Sequence, residues 1–240
     1  MGRFAATFSS CPACGNTLLV RYRLDEMGVR CLRCRATPVT MSLIEVLRDI
    51  RPDLSRLDSY ELSSRGPLVR FLRKRCATLA LSEYFEDVAP GAFRDGIQCQ
   101  DVTALTFADG SFDLCTSTEV FEHVPDDARG CAEIRRVLKP GGHFVFTVPM
   151  NGTPHTVTRA IAGPQGPVHL LEPEYHGDRL RGPRGVLCYR TYGAGIVERL
   201  RAAGFADASI AVPRAGWFGF ARNVIVARRG PESLSGRAPS

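Results

Sequence analysis

The chain has 240 residues, 44% of them hydrophobic and 23% charged, with a formal net charge of +6 and nine cysteines. That length suits one α/β domain with a small appendage. No run approaches the roughly 18 apolar residues of a membrane helix, and the first ten residues lack the apolar core of a secretion signal. The expectation is a cytoplasmic protein with no membrane partner, whose cysteines are metal ligands or small buried residues rather than disulfide halves. Over residues 1–75, Arg and Lys outnumber Asp and Glu two to one. This suits either an anionic partner or a plain solvated Arg-rich surface.

In chain order, the first feature is Cys11-Pro12-Ala13-Cys14-Gly15, followed by Cys31-Leu32-Arg33-Cys34. Each C-x2-C pair is a tight turn presenting two thiolates to one ion, and two such turns complete a tetrahedral shell. Gly15 suits the turn after the second cysteine. Thr17 to Val20 and Val29-Arg30 are short strand candidates between the knuckles. The pattern resembles a zinc ribbon, with Cys11, Cys14, Cys31 and Cys34 holding a structural Zn²⁺ in a closed site. The remaining cysteines, Cys76, Cys99, Cys115, Cys131 and Cys188, lie in apolar contexts and read as small buried hydrophobes. Met41 to Arg48 has helical spacing and is stopped by Pro52, a connector over residues 41–56.

From Ser59 the chain alternates strand and helix patterns. Ser59 to Pro67 contains Glu61, Ser63, Ser64, Arg65 and Gly66, and leads into an amphipathic segment, Leu68 to Leu72. Ala77 to Glu83 reads as a strand ending in an acid, and Ile97 to Cys99 as a short strand before Asp101. Phe112 to Ser117 is a central strand, with Asp113 a structural carboxylate at its start. Glu119-Val120-Phe121-Glu122-His123 follows; if helical, its spacing puts Glu119, Glu122 and His123 on one side. Ala132 to Leu138 is an amphipathic helix closed by Lys139-Pro140-Gly141-Gly142, and Phe144 to Val148 an apolar strand buried on both faces.

Residues 151–192 are Gly/Pro-rich, polar and too long for a plain loop, the expected substrate lid. They hold His155, His169, and His176 beside Tyr175 and Asp178. His176 is the preferred general base, and His155 or His169 a candidate to complete a metal shell. Phe205 to Val212 and Val224 to Ala227 are the last strands. The Trp217-Phe218-Gly219-Phe220 turn between them is expected to pack on the lid. Residues 229–240 read as a disordered tail.

The segments from Ile97 to Met150 resemble the class I S-adenosylmethionine-dependent methyltransferases. The resemblance implies a Rossmann-like α/β fold, a seven-stranded, mostly parallel sheet with helices on both faces and a final antiparallel hairpin. The expected organisation is a zinc ribbon at 1–40, the connector, and a methyltransferase domain at 57–228. It implies S-adenosylmethionine as cofactor, with Glu61 near the methionine moiety, Gly66 at the turn and Glu83 on the ribose hydroxyls. Asp101 would accept from the adenine amino group, with the Val102 amide nearby and Glu119 also against the cofactor. The family's Gly-rich first motif is missing: serines and Arg65 replace its glycines. Similar Glu-x-x-Glu-His segments bind a metal in small-RNA 3′-end methyltransferases and ubiquinone-pathway O-methyltransferases. Here Glu119, Glu122 and His123 would hold Mg²⁺ or Mn²⁺, or serve without metal as catalytic or cofactor-lining groups.

The implied reaction is methyl transfer to oxygen or nitrogen of a small metabolite or glycan precursor. One alternative is an RNA methyltransferase whose ribbon contacts nucleic acid, although the ribbon lacks the interleaved aromatics of a stacking surface. Another is a scaffold protein whose eroded glycine motif no longer binds cofactor. A homodimer is left open.

Overall fold

The computed structural model describes residues 4–177, 185–214 and 216–231. Strands β1 (Ala5–Phe8), β2 (Leu18–Arg21) and β3 (Val29–Cys31) form a small antiparallel sheet. The first cysteine knuckle joins β1 to β2 and the second follows β3. Helix α1 (Pro38–Ile50) begins where the Thr37 hydroxyl accepts from the Thr40 amide and ends before Pro52. It is more than a connector. Met41, Leu43, Ile44 and Leu47 are fully buried in one cluster with Leu19 and Val29 of the ribbon and Leu114, Val145 and Val224 of the main sheet.

The main sheet is built from β4 (Asp58–Glu61), β5 (Thr78–Glu83), β6 (Phe93–Arg94), β7 (Ile97–Cys99), β8 (Phe112–Thr118) and β9 (Leu138–Thr147). Between them lie α2 (Pro67–Leu72) and α3 (Asp127–Val137). The lid strands are β10 (Val157–Thr158), β11 (Ala160–Gly163), β12 (Gly166–His169), β13 (Tyr175–His176), β14 (Val186–Leu187) and β15 (Arg190–Thr191). Then come α4 (Ile196–Ala202), β16 (Asp207–Ala211) and β17 (Val224–Arg228). The sheet order is β16-β17-β9-β8-β4-β5-β7-β6. Strands β7, β5, β4, β8 and β9 are parallel, and β16/β17 form the expected antiparallel hairpin.

The expected seven strands become eight because β6 turns back on β7. Asp95 and Gly96 both have positive φ (49° and 75°), the conformation of a two-residue hairpin turn that the Asp-Gly pair favours.

Alternate residues of the central strands feed two cores. Cys115, Phe144, Phe146, Ile225 and Ala227 pack with α3 and α4, while Leu114, Val145 and Val224 pack with α1 and the ribbon. Helices therefore cover both faces, which is why these strands read as continuous apolar runs.

Two local expectations are corrected. The Lys139-Pro140-Gly141-Gly142 segment is no helix-ending turn. It lies inside β9, opposite a register shift at Phe112/Leu114, with Gly141 at φ 78°. Lys139 there bridges Asp58 (2.6 Å) and Asp113 (2.8 Å), and Asp113 accepts the Asp58 amide (2.9 Å), the structural role expected of it. Trp217 does not reach the lid. It is 1% exposed on the ribbon side, and its indole N–H donates to Ser10 O at 3.5 Å. The β16–β17 connection runs along α1, where Ser42 Oγ accepts the Arg222 amide (2.9 Å), and this carries Trp217 to that face. Residues 232–240, most of the expected tail, and Asp178 lie outside the described residues.

Candidate active site

A cleft of 1620 Å³ opens beyond the carboxyl ends of the parallel strands, where open α/β sheets bind ligands. Glu83, Asp101, Val102, Glu119, His123 and His176 line it; Glu61, Gly66 and Glu122 are not among its lining residues. Glu61 closes β4 at 1% exposure. The Thr116 hydroxyl donates to its carboxylate, yet burial pushes its pKa up to about 8. After it, the Ser64 amide and hydroxyl donate to Glu83 Oε1 at 2.9 and 2.7 Å. Gly66 caps α2 at φ 119°, a conformation closed to residues with a Cβ, and no atom lies within 4 Å of where a Cβ would stand. The serine-rich segment thus still makes the tight turn from strand to helix, and Ser64 ties it to the acid ending β5. Asp101 follows β7, and the Thr103 amide and hydroxyl both donate to its Oδ1 at 2.8 Å. Val102 turns its side chain into the core.

The Glu119–His123 segment is not an α-helix. Glu119 has φ 53° and only Phe121–His123 forms a 3-10 turn. The expected face of Glu119, Glu122 and His123 therefore does not form. Glu119 lies 3.4 Å from Arg222, and burial, opposed by that guanidinium, pushes its pKa up to about 7. Glu122 is 1% exposed, and neither carboxylate oxygen has a hydrogen-bond partner.

His123 Nδ1 is 2.9 Å from Leu187 O and 3.8 Å from Cys188 Sγ. His176 Nε2 is 3.2 Å from Glu174 Oε1, and its Nδ1 3.5 Å from Glu122 Oε1. The two rings stand perpendicular at 5.2 Å. Cys188 and then Glu122 push His176 up to about 11. Burial would raise the Cys188 thiol, but the two imidazoles hold it below its ordinary range.

Cys188 is the residue that sequence reasoning missed. It was expected to be an inert buried thiol, but the β13/β14 hairpin, which pairs His176 with Val186, returns the chain so that Cys188 meets both histidines. His155 and His169 are exposed, and neither joins this cluster. The return of this insertion is fastened to the segment after β8. The Tyr189 amide donates to Glu122 O (2.7 Å) and Arg190 to Pro125 O (2.7 Å).

The cysteine knuckles share one geometry. The Gly15 amide donates to Cys11 O (2.8 Å) and the Arg35 amide to Cys31 O (2.9 Å), with Gly15 at φ 72° and Arg35 at φ 65°. Sγ of Cys11 and Cys34 are 3.6 Å apart, as are those of Cys14 and Cys31. That is far beyond a disulfide bond of about 2.05 Å. It is close to the edge of about 3.8 Å that four sulfurs at about 2.3 Å from Zn²⁺ would make. The ribbon also exposes aromatics the sequence reading discounted, Phe4 and Phe8 on one face of β1 and Tyr22 beyond β2.

Residues 63–146 match the model of a methyltransferase domain. An uncharacterized methyltransferase of Mycobacterium sp. (strain KMS) is 42% identical over 66 residues, 25% of this chain and 26% of that protein. The ubiquinone biosynthesis O-methyltransferase of Alkalilimnicola ehrlichii is 35% identical over 80 residues, 32% of each chain. The chain thus spans a quarter to a third of these relatives' length. Among solved structures, an S-adenosylmethionine-dependent methyltransferase from Mesorhizobium loti is similar at TM-score 0.52 and 22% identity, over 78% of this chain and 98% of that one. The 1,6-didemethyltoxoflavin-N1-methyltransferase of Burkholderia thailandensis is similar at TM-score 0.52 and 16% identity, over 80% and 78%. Residues 63–146 are thus similar to a methyltransferase domain, and the chain has the Rossmann-like α/β fold of these structures.

Proposed function

We propose that this chain transfers a methyl group from S-adenosylmethionine to oxygen or nitrogen of a small acceptor, with the ribbon holding one structural Zn²⁺. The observation that carries the reading is the degenerate first motif. Ser64 bound to Glu83, with Gly66 at positive φ, keeps the strand-turn-helix that approaches a cofactor despite the lost glycines. The cleft also exceeds the roughly 300–1,000 Å³ of an ordinary ligand pocket, so cofactor and acceptor fit together.

Bound S-adenosylmethionine would supply an electrophilic methyl group on a sulfonium. In this reading Glu61 faces the methionine end, Glu83 the ribose, and Asp101 with the Val102 amide the adenine. Ser64 and Thr103 fix the two carboxylates before the cofactor arrives, so little ordering is left to binding. Methyl transfer needs an in-line nucleophile and a base if that nucleophile carries a proton. His176 lines the cleft and is a candidate for that base, its pKa raised by Cys188 and Glu122 beside it. Glu119, which also lines the cleft and whose pKa burial raises, is a second candidate. Mg²⁺ or Mn²⁺ on Glu119, Glu122 and His123 loses its support with the helix.

The test is calorimetric titration with S-adenosylhomocysteine. Wild type should bind in the micromolar range, and Asp101→Ala should weaken binding by about 1–3 kcal/mol, the cost of orphaning a polar partner. No binding by the folded wild type would overturn the reading in favour of a scaffold protein.

A further inference from the structure

We propose a second metal centre, on His123, His176 and Cys188, that takes a borderline-soft divalent ion such as Zn²⁺. Two segments deliver the ligands: the 3-10 turn after β8 carries His123, and the paired strands β13 and β14 bring His176 and Cys188. Their donor atoms all lie within 4.8 Å of one another. The 3.8 Å from Cys188 Sγ to His123 Nδ1 is close to the edge of about 3.6 Å expected between sulfur and nitrogen on a tetrahedral Zn²⁺.

The surroundings are those of a metal site. Metal-bound imidazoles hand their second nitrogen to a carboxylate or carbonyl. The 3.8 Å edge makes Nδ1 the ligating nitrogen of His123, which leaves its Nε2 facing Glu122 Oε1 at 3.6 Å. His176 likewise has Glu122 Oε1 at 3.5 Å and Glu174 Oε1 at 3.2 Å. Glu122 supplies the second observation. Its carboxylate is 1% exposed and receives no well-formed hydrogen bond; beside it stand the imidazoles of His123 (3.6 Å) and His176 (3.5 Å), so an ion held by those rings would place positive charge next to a buried carboxylate. Thiolate with imidazole selects Zn²⁺-like ions over Mg²⁺ and Mn²⁺, which prefer all-oxygen shells.

Three protein ligands leave a fourth position, as catalytic rather than structural zinc sites do. His123 and His176 line the cleft, so that position opens where an acceptor would stand. An ion there would bind an acceptor heteroatom and lower its pKa; this last role rests on the methyltransferase reading, while the metal site does not.

The experiment is a metal count on full-length protein purified without chelator. Wild type should hold two zinc equivalents. Cys188→Ser and His176→Ala should each hold one, with the ribbon zinc retained. Cobalt-substituted wild type should show thiolate charge transfer from both sites, reduced but not abolished in Cys188→Ser. One equivalent in wild type, unchanged in both variants, with Cys188 freely alkylated by iodoacetamide, would overturn the proposal. Loss of S-adenosylhomocysteine binding in wild type would instead defeat the methyltransferase reading and leave the metal count to stand by itself.

Discussion

At the residue scale, Glu61 carries the clearest pH signature. It stands at the end of β4 beneath the cleft, with Thr116, Ser63 and the more distant Glu83 around it and no cation. Its folded pKa of about 8 lies above the ordinary 4.5. Between those values the folded state keeps a proton that the unfolded state has lost. Stability therefore falls as pH rises from about 4.5 to about 8, by at most about 1.4 kcal/mol per unit, and levels off above. Glu61→Gln should flatten that portion of the profile. Thermal melts of ligand-free protein at pH 6 and pH 8 check it, and an equal slope in wild type and variant would show that Glu61 is ionised throughout. A cationic ligand above Glu61 would favour its ionised form, so the same fall should shrink when such a ligand is bound.

The legibility of single residues followed how local their roles are. Glu61, Glu83 and Asp101 end strands, and the strands were readable from their apolar runs. Glu119 was misplaced because helical spacing was assumed for a segment whose backbone turns at φ 53°. Cys188 was unreadable, because its meaning depends on two histidines 65 and 12 positions away in sequence, which a lid hairpin brings to it.

Among the elements, the ribbon and α1 are best understood together. The three-stranded ribbon is too small to build its own core, and its Leu19 and Val29 complete a cluster with α1 and Trp217. A metal ion held by the knuckles and the packing beneath them would therefore support each other. Cys14→Ser should release the ribbon zinc and lower the melting temperature of the whole domain, read by zinc analysis alongside a thermal melt. A variant that loses zinc at unchanged melting temperature would show that the ribbon folds independently of the sheet. The spacing of Cys11, Cys14, Cys31 and Cys34 announced this element outright, since two C-x2-C turns have few other uses. The spacing was silent about where the ribbon docks. Trp217, nearly two hundred residues later, decides that by burying its ring under Ser10. Strand β6 was legible in principle: Asp95-Gly96 is a two-residue hairpin signal, although the strands it joins are very short.

Across the whole molecule, a charge network centred on buried Asp127 ties residues 190–192 to helices α3 and α4. Asp127, in the first turn of α3, accepts from Tyr192 (2.9 Å) and from Arg199 of α4, and lies 3.5 Å from Arg190. Arg190, 6% exposed, also reaches the backbone of the segment after β8 at Pro125. Removing Asp127 would leave Arg190 buried without its counter-ion. Asp127→Ala should cost about 3–5 kcal/mol in urea denaturation, with Asp127→Asn intermediate because its amide oxygen still accepts from Tyr192. A loss below 1 kcal/mol would mean that the lid and helices are held by apolar packing alone.

The sequence by itself determined the α/β class, the two-faced burial of the central strands, the positions of the strand-end acids and the four-cysteine knuckles. These depend on residues close in the chain, through side-chain periodicity and turn chemistry, and such information survives without knowledge of distant partners. Tertiary structure alone decided the docking of the ribbon on α1, the fastening of the lid through Arg190 and Tyr192, and the meeting of His123, His176 and Cys188. Those contacts join segments with no fixed spacing. They form because a buried guanidinium, indole N–H or thiol must find its partner wherever the packed fold places one.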